Sequence, residues 1–340
     1  MNLSDVAIHC VMVFISTYVL VYVIKQAFQK RQLLDVPNAR SAHQLPTPHG
    51  GGLAIVVVVC AYVFGVGLEH VVLNQHWRVL LVCALPIAIS GLLDDVLDVS
   101  AKKRLLLQCV CAVIAAAYLL TNVTQASGVW LLCGVVVLMV ALVWVLNLYN
   151  FMDGIDGIAG VQGATMCLSV IVIAHVSELT THLLPFFYVL LPAMLGFLVW
   201  NAPRARIFMG DVGSGFLGFV FALSMVLMSS EHALWLPVWL IVFAVFFVDA
   251  SVTLLRRFVR GHTVTQAHCN HAYQYAARVH QSHAIVSSAV VLINVCVLLP
   301  IALSVALHII SPWFGIACAY IPLIGLALHY RAGAEEQQRI

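Results

Sequence analysis

Eleven long apolar segments alternate with short polar stretches along the 340 residues of the chain. A helix needs about 20 predominantly apolar residues to cross the hydrocarbon core of a bilayer. Within each segment the residues are continuously apolar, whereas a membrane-spanning strand would alternate apolar and polar residues. This pattern excludes membrane-spanning strands. We therefore predict an all-α, polytopic integral membrane protein whose transmembrane helices lie near 6–24, 51–68, 79–93, 105–121, 129–147, 158–176, 183–200, 214–230, 234–255, 284–308 and 312–330.

Basic residues are distributed unevenly about these segments. If the N-terminus lies outside, 15 of the 16 Lys and Arg residues face the cytoplasm, and only Arg78 does not. Cytoplasmic loops are enriched in Lys and Arg, so we predict a periplasmic N-terminus and a cytoplasmic C-terminus. Charged residues make up 9% of the chain, and the net charge is +2 without a long basic run. We therefore expect no nucleic-acid partner.

The polar residues best suited to catalysis fall in the five stretches assigned to the cytoplasmic side. In the third stretch, Asp153 and Asp156 are three residues apart, so both can lie on one face of a helical turn. Asn147 and Asn150 precede them, and a glycine follows each aspartate. Such groups are costly at a membrane helix unless they are paired or line a wet cavity. We interpret this stretch as part of a functional site, although a simple helix cap is the alternative.

The second stretch contains three carboxylates, Asp94, Asp95 and Asp98, followed by three basic residues at 102–104. Adjacent carboxylates repel each other unless a cation lies between them. Oxygen-rich clusters suit Mg²⁺ or Mn²⁺, particularly when a phosphate completes the coordination, and the basic residues could hold anionic oxygens. The alternative is a solvated loop of mixed charge.

The fourth stretch places Asp211 in the pattern Gly-Asp-x-Gly-Ser, directly before an apolar helix. A carboxylate, flexible backbone amides and a helix N-terminus together suit a metal-bound pyrophosphate. An ordinary helix start capped by Ser214 is the alternative.

The fifth stretch, 256–283, is the longest and is rich in His and Arg. A zinc site built from His268, Cys269 and His271 is disfavoured, because adjacent His and Cys side chains rarely bind one ion. We interpret the stretch as an anion-binding loop. Asp249, which precedes it, either pairs with the arginines or lines the site. The basic side chains are His262, His268, His271, His280, His283, Arg256, Arg257, Arg260 and Arg278.

Together with the Pro- and Gly-rich first stretch at 41–52, these motifs resemble the polyprenyl-phosphate N-acetylhexosamine-1-phosphate transferases, over about 41–274. This group, glycosyltransferase family 4, includes the initiating enzymes of O-antigen synthesis and the phospho-N-acetylmuramoyl-pentapeptide transferase. The stretch from His268 to Gln274 is most similar to the O-antigen branch. The resemblance implies a single transmembrane transferase domain over 1–340, with an active site built from cytoplasmic loops near 29–50, 94–104, 147–157, 201–214 and 256–283.

The resemblance also implies a reaction. An N-acetylhexosamine 1-phosphate would move from a UDP-N-acetyl sugar to undecaprenyl phosphate, with release of UMP, in the bacterial cytoplasmic membrane. The sugar would be N-acetylglucosamine or a 6-deoxy sugar such as N-acetylfucosamine or N-acetylquinovosamine. The product would begin an O-antigen or another cell-surface polysaccharide. Mg²⁺ is the implied cofactor, with Mn²⁺ as a substitute. The formation of a homodimer and the choice between single and double displacement stay open.

Residue by residue, the resemblance implies three overlapping groups. The metal ligands would be Asp211 and Asn150. The catalytic carboxylates, with Asp94 or Asp95 as a base, would be Asp94, Asp95, Asp153 and Asp156. The substrate-binding side chains would be Asn147, Asn150, His268, His271, Arg204 and Arg260.

Two other functions compete with this interpretation. An intramembrane prenyltransferase would use Asp94, Asp95 and Asp98 to hold a Mg²⁺-bound prenyl pyrophosphate, but it would need a second comparable acidic motif. A secondary transporter would place charges near the bilayer midplane, on paired helices broken by Gly or Pro. Here the carboxylates fall at the ends of the predicted spans. Substrate-dependent release of UMP would distinguish the three functions.

Overall fold

The computed structural model describes residues 3–35, 37, 45–66, 75–97, 99–122, 127–262 and 269–334. Asp98, His268 and Arg339 lie outside these residues, as does much of the first polar stretch. Two short antiparallel strands, β1 (Leu34–Asp35) and β2 (Thr47–Pro48), pair Leu34 with Pro48. The described helices are α1 (Leu3–Lys30), α2 (Gly52–Ala61), α3 (Gln75–Leu97), α4 (Ala101–Asn122), α5 (Gly128–Phe151), α6 (Ile158–Val176), α7 (Leu184–Asn201), α8 (Asp211–Glu231), α9 (Trp235–Val242), α10 (Ala244–Val259), α11 (Ala272–His280), α12 (His283–Ile293), α13 (Leu299–Ala306) and α14 (Pro312–His329).

Each apolar segment predicted from the sequence coincides with helix in the structure. Eight described helical segments are long and apolar enough to cross a bilayer, and the bent pair α9–α10 would make a ninth. The two remaining predicted segments correspond to α3 and to α2, which continues into a π-helical turn at Tyr62–Val66. The prediction of an all-α, multi-pass membrane protein is confirmed. The number of crossings and the orientation of the termini stay predictions.

The segment predicted as one helix at 234–255 is broken in the structure. Helices α9 and α10 meet at Phe243 with a bend of 71°. A bend frees backbone carbonyls that a continuous helix would pair, and such groups need partners away from water. Gln162 of α6 supplies one, because its Nε2 donates to the carbonyl of Val242 at 3.2 Å. Asn294 donates in turn to Gln162 Oε1 at 2.9 Å, so a buried polar network supports the bend.

Helix α8 lies at the centre of the bundle. In its apolar window 89% of positions are buried, compared with 22% in α1 and 17% in α5, whose outer faces are available to lipid. Helices α2, α3 and α5 all pack against α8. The closest approaches depend on glycine: a Cβ on Gly91 of α3 would collide with the backbone of Asp211, and one on Gly52 of α2 would collide with Gly213. The ends of α2 and α3 therefore lie directly beside the N-terminus of α8.

Candidate functional site

One cavity of about 340 Å³ lies where α3 and α5 end and α8 begins. Side chains from all five polar stretches identified in the sequence contribute to its lining. The lining residues are Asp35, His49, Asp95, Asn150, Asp153, Gly154, Ile155, Asp156, Asn201, Phe208, Gly210, Asp211, Ser214, Gln274 and His283.

Asp211 is the first residue of α8, and several polar groups hold its carboxylate. Asn150, at the end of α5, donates from Nδ2 to Asp211 Oδ1 at 3.0 Å and to Ser214 Oγ at 2.8 Å. Arg104, in the first turn of α4, donates to Asp211 Oδ2. A carboxylate in the first turn of a helix is stabilised by the helix dipole. Asp211 is therefore fixed in direction at the cavity wall, and it remains partly exposed.

Arg104 links two of the predicted site carboxylates. Its Nη1 lies 2.6 Å from Asp94 Oδ2 and also contacts Asp211. Asp94 itself does not line the cavity. The basic run at 102–104 was recognised in the sequence, but Arg104 was not singled out, because nothing in the run distinguishes it from Lys102 and Lys103. The turn between α3 and α4 is what brings Arg104 back to the carboxylates.

Asp95, the neighbour of Asp94, has a different environment. Its carboxylate accepts the backbone N–H of Asp211 at 3.0 Å and that of Val212 at 3.4 Å. The side chain is 6% exposed, and its Oδ1 lies 3.4 Å from Nδ1 of His49. This hydrogen bond with Asp95 raises the pKa of His49. Asp95 therefore caps α8 from another helix and positions Asp211.

Asp153 follows the end of α5 and lines the cavity. Burial, together with the negative charges of Asp211 and Asp95, raises the pKa of Asp153 to about 8. The neighbouring backbone is held from α11, since the Tyr273 hydroxyl donates to the carbonyl of Phe151 at 3.0 Å. The carboxyl group of Asp153 thus lies in an environment that favours its neutral form unless a cation is nearby.

Asp156 connects three elements around the cavity. Its Oδ2 accepts the backbone N–H of Ala205 at 2.9 Å, and its Oδ1 lies 3.1 Å from Nδ1 of His283. Its backbone carbonyl accepts the hydroxyl of Ser287 in α12 at 2.7 Å. Asn201, another lining residue, accepts the N–H of Gly157 through its Oδ1 at 3.1 Å. Asp156 is in contact with the cavity, but most of its bonds hold the surrounding loops in place.

Four predicted substrate-binding side chains lie away from the cavity lining. Asn147, one turn before Asn150, donates to Gln108 of α4 at 2.8 Å and links two helices. Arg260 donates to the carbonyl of Gly333 at 2.9 Å, beyond the end of α14. Arg204 is exposed on the loop after α7. The fourth, His271, is buried beside Asp249.

Asp249, for which two alternatives were left open, holds the start of α11. Its Oδ1 accepts the N–H of Ala272 at 2.9 Å, and its Oδ2 accepts the N–H of Tyr273 at 2.9 Å. Nδ1 of His271 lies 3.3 Å from the same carboxylate. Asp249 therefore caps α11, and it does not line the cavity. Through α11 it positions Gln274, a cavity residue that the sequence analysis did not select.

Of the other lining residues, Ser214 and His283 were named in the sequence with the fourth and fifth stretches, whereas Asp35 and Asn201 were not singled out. Among the described residues, no three His, Cys, Asp or Glu side chains are arranged to hold a metal ion together. Mg²⁺ does not require such a set, because it is commonly bound by one or two carboxylates with water and substrate phosphate. Asp211 and Asn150, with Asp153 nearby, fit that mode of binding.

The fold and the cavity define a class: a multi-pass α-helical membrane protein with an acidic, partly desolvated site at the ends of its helices. Residues 77–229, which include α8 and the carboxylates of the second, third and fourth stretches, match Glycosyl transferase family 4. The resemblance to this family that the sequence motifs indicated is confirmed over these residues.

Curated relatives cover most of the chain. An undecaprenyl-phosphate alpha-N-acetylglucosaminyl 1-phosphate transferase of Yersinia pestis is 27% identical over 280 residues, 77% of this chain and 74% of that protein. The protein of the same name from Escherichia coli (strain K12) is 24% identical over 276 residues, 77% of this chain and 73% of its own length. A probable undecaprenyl-phosphate N-acetylglucosaminyl 1-phosphate transferase of Bacillus subtilis (strain 168) is 26% identical over 263 residues, 74% of this chain and 71% of that protein.

Proposed function

We propose that the protein transfers an N-acetylhexosamine 1-phosphate from a UDP-sugar to undecaprenyl phosphate and releases UMP. The observation that carries the proposal is the arrangement around Asp211. This carboxylate lies at a helix N-terminus, is held by Asn150 and Arg104, and faces one cavity together with the desolvated Asp153. Such a site suits a metal-bound pyrophosphate. The names of the relatives support the lipid acceptor and the transfer of a sugar phosphate.

A divalent cation, Mg²⁺ or Mn²⁺, would be held by Asp211 and by Oδ1 of Asn150, and it would neutralise charge on the donor pyrophosphate. Asn150 then has two roles, because its Nδ2 also fixes the direction of Asp211. Arg104 does not line the cavity, and its guanidinium lies between Asp94 and Asp211. We therefore assign Arg104 the role of fixing the direction of the Asp211 carboxylate.

In the proposed reaction, an oxygen of the lipid phosphate attacks the β-phosphorus of the UDP-sugar. The new P–O bond joins lipid phosphate to sugar phosphate, and the bond to the α-phosphate breaks, so that UMP leaves. A phosphate monoester has a second pKa of about 6 and is mostly dianionic at neutral pH, so a protein base is not required. Asp94 and Asp95 are engaged with Arg104 and with α8, respectively. We assign them positioning roles in this reaction.

The donor is proposed to be a UDP-N-acetylhexosamine, and the names of the relatives favour N-acetylglucosamine over the 6-deoxy sugars. The product would be the first lipid-linked intermediate of an O-antigen or another surface polysaccharide. We place the protein in the bacterial cytoplasmic membrane with the cavity facing the cytoplasm. This orientation follows from the distribution of Lys and Arg residues about the membrane segments.

The test uses purified protein, undecaprenyl phosphate and UDP-N-acetylglucosamine labelled in its β-phosphate. The label is expected to enter the lipid fraction, and unlabelled UMP to be released only when both substrates are present. Asp211→Asn provides the matched inactive control. If the label remains with the nucleotide as UDP, the protein transfers sugar alone and the proposed chemistry is wrong. A panel of UDP-N-acetyl sugars then identifies the preferred donor.

A further inference from the structure

A second polar site lies at the ends of α1 and α7, built around the indole ring of Trp200. Lys25 Nζ lies 5.6 Å from the ring centroid, and Arg206 Cζ lies 5.7 Å from it. Both distances are within the range of a cation–π contact. Two cations therefore share one aromatic ring.

The ring and its cations are held firmly. Trp200 is 8% exposed, and its Nε1 donates to the carbonyl of Tyr18 at 3.1 Å. The Tyr18 and Tyr22 rings lie 5.2 and 5.7 Å from the indole, centroid to centroid. The backbone N–H of Arg206 donates to the carbonyl of Trp200 at 2.8 Å, which fixes the second cation relative to the ring.

No carboxylate among the described residues compensates the two positive charges. Within the part of the chain that the structure describes, neither Lys25 nor Arg206 forms an ion pair. Like charges held around one ring repel each other, and an anion bound beside both would remove that repulsion. The chemistry that fits the site is a negatively charged oxygen group such as a phosphate.

The position of the site indicates where the anion comes from. Trp200 is the penultimate residue of α7, and Lys25 is in the last turns of α1, so both lie at the ends of helices long enough to span a bilayer. Trp and Tyr are enriched at the level of lipid headgroups. Tyr22, whose ring packs against the indole, is 46% exposed and offers an apolar surface to an acyl chain.

We propose that Trp200, Lys25 and Arg206 bind the headgroup of an anionic membrane phospholipid, separately from the reaction site. None of the three residues lines the cavity. The proposal has a structural consequence, because the residues on either side of Arg206 are hydrogen-bonded to two cavity-lining residues, Asp156 and Asn201. The N–H of Ala205 donates to Asp156, and the carbonyl of Ile207 accepts Nδ2 of Asn201 at 3.0 Å. A lipid bound to Arg206 would stabilise this segment.

The test compares the whole protein in nanodiscs of phosphatidylcholine, with and without added phosphatidylglycerol. Phosphatidylglycerol is expected to remain bound in native mass spectra and to raise the thermal unfolding midpoint. Lys25→Gln and Arg206→Gln should each weaken its retention about fivefold, the scale of one basic residue at an anionic surface. Arg206→Lys should retain most of the binding. Arg204→Gln, which removes an exposed arginine from the same loop, is the matched control and should leave retention unchanged.

Each other outcome overturns the proposal. Equal retention in Lys25→Gln, Arg206→Gln and the control would show that the lipid binds elsewhere. Equal stabilisation by inorganic phosphate alone would show a site for free anions. Displacement of phosphatidylglycerol by equimolar undecaprenyl phosphate, lost in Arg206→Gln, would assign the site to the acceptor lipid. Unfolding midpoints in phosphatidylcholine alone identify any variant that is destabilised for other reasons.

Discussion

Replacement of Asp95 tests whether this carboxylate positions Asp211 or acts on substrate. Asp95 accepts two N–H groups from the first turn of α8, and its side chain is 6% exposed. Loss of a helix-capping side chain costs about 0.5–2 kcal/mol. A buried polar group left without its partner adds about 1–3 kcal/mol, and here His49 loses its partner. We therefore expect Asp95→Ala to destabilise the protein by about 1.5–5 kcal/mol.

Asp95→Asn should be milder, since one acceptor oxygen remains for the N-terminus of α8. The expected cost is about 1 kcal/mol, from the lost charge at the helix N-terminus and beside His49. Asp94→Asn is the matched control, because the neighbouring carboxylate binds Arg104 and does not cap α8. Two-state unfolding is typical mainly of small single domains, so the measured quantity is the order of the thermal midpoints in one detergent. That order should be wild type, Asp95→Asn, Asp95→Ala.

Turnover gives the second measurement. A shift of about 1 Å at a reacting group can reduce a rate by about 10²-fold, so Asp95→Ala should lose activity together with stability. Asp95→Asn should retain measurable turnover. A wild-type midpoint in Asp95→Ala would refute the capping role. Complete loss of turnover in Asp95→Asn without any change in its midpoint would instead indicate direct contact with substrate.

Three further predictions concern the metal, the pH dependence and the topology. Asp211→Asn should reduce turnover at least ~10²-fold, the scale of losing one electrostatic stabiliser, and should abolish any Mg²⁺-dependent rise in the unfolding midpoint; near-normal turnover would remove Asp211 from the site. Because the pKa of Asp153 is raised to about 8, the metal-free protein carries a proton there at neutral pH, and cation binding must release it. Apparent Mn²⁺ affinity, measured by titration, should therefore fall as pH decreases below 8, and Asp153→Asn should flatten this dependence. Cys269, as the only cysteine retained, should react with an impermeant thiol reagent in broken cells but not in intact cells; labelling in intact cells would reverse the predicted orientation.

Much of the fold could be predicted from hydrophobicity, since every predicted apolar segment is helical in the structure. The break between α9 and α10 could not, because the sequence on both sides of Phe243 is continuously apolar, over 238–248. Its partner, Gln162, lies 80 residues earlier in the chain. A contact between such distant residues leaves no local pattern in the sequence. The short helix α11 was likewise absent from the prediction, since its start is fixed by Asp249 of α10.

The acidic stretches of the site could be recognised from the sequence, but the separate roles of their residues could not. Asp94 and Asp95 are adjacent in the chain, yet neighbouring side chains on a helix point about 100° apart. One therefore meets Arg104, and the other meets the backbone of α8. Asn147 and Asn150 lie one turn apart, but only Asn150 reaches the cavity. These distinctions depend on which helix lies alongside, and that information is not local in the sequence.

The balance of charge around α8 explains why this site should depend on a cation. Asp95, Asp153 and Asp211 line one cavity, and Arg104 already pairs with Asp94 and Asp211. One guanidinium cannot neutralise four carboxylates, and a donor pyrophosphate would add further negative charge. Burial, together with the negative charges of Asp211 and Asp95, raises the pKa of Asp153 to about 8, so its carboxyl group favours the protonated form at neutral pH. A divalent cation would replace that proton and neutralise the incoming phosphates, so we expect cation and donor to bind more tightly together than either binds alone. Equal donor affinity with and without Mg²⁺, measured by titration calorimetry, would contradict this reasoning.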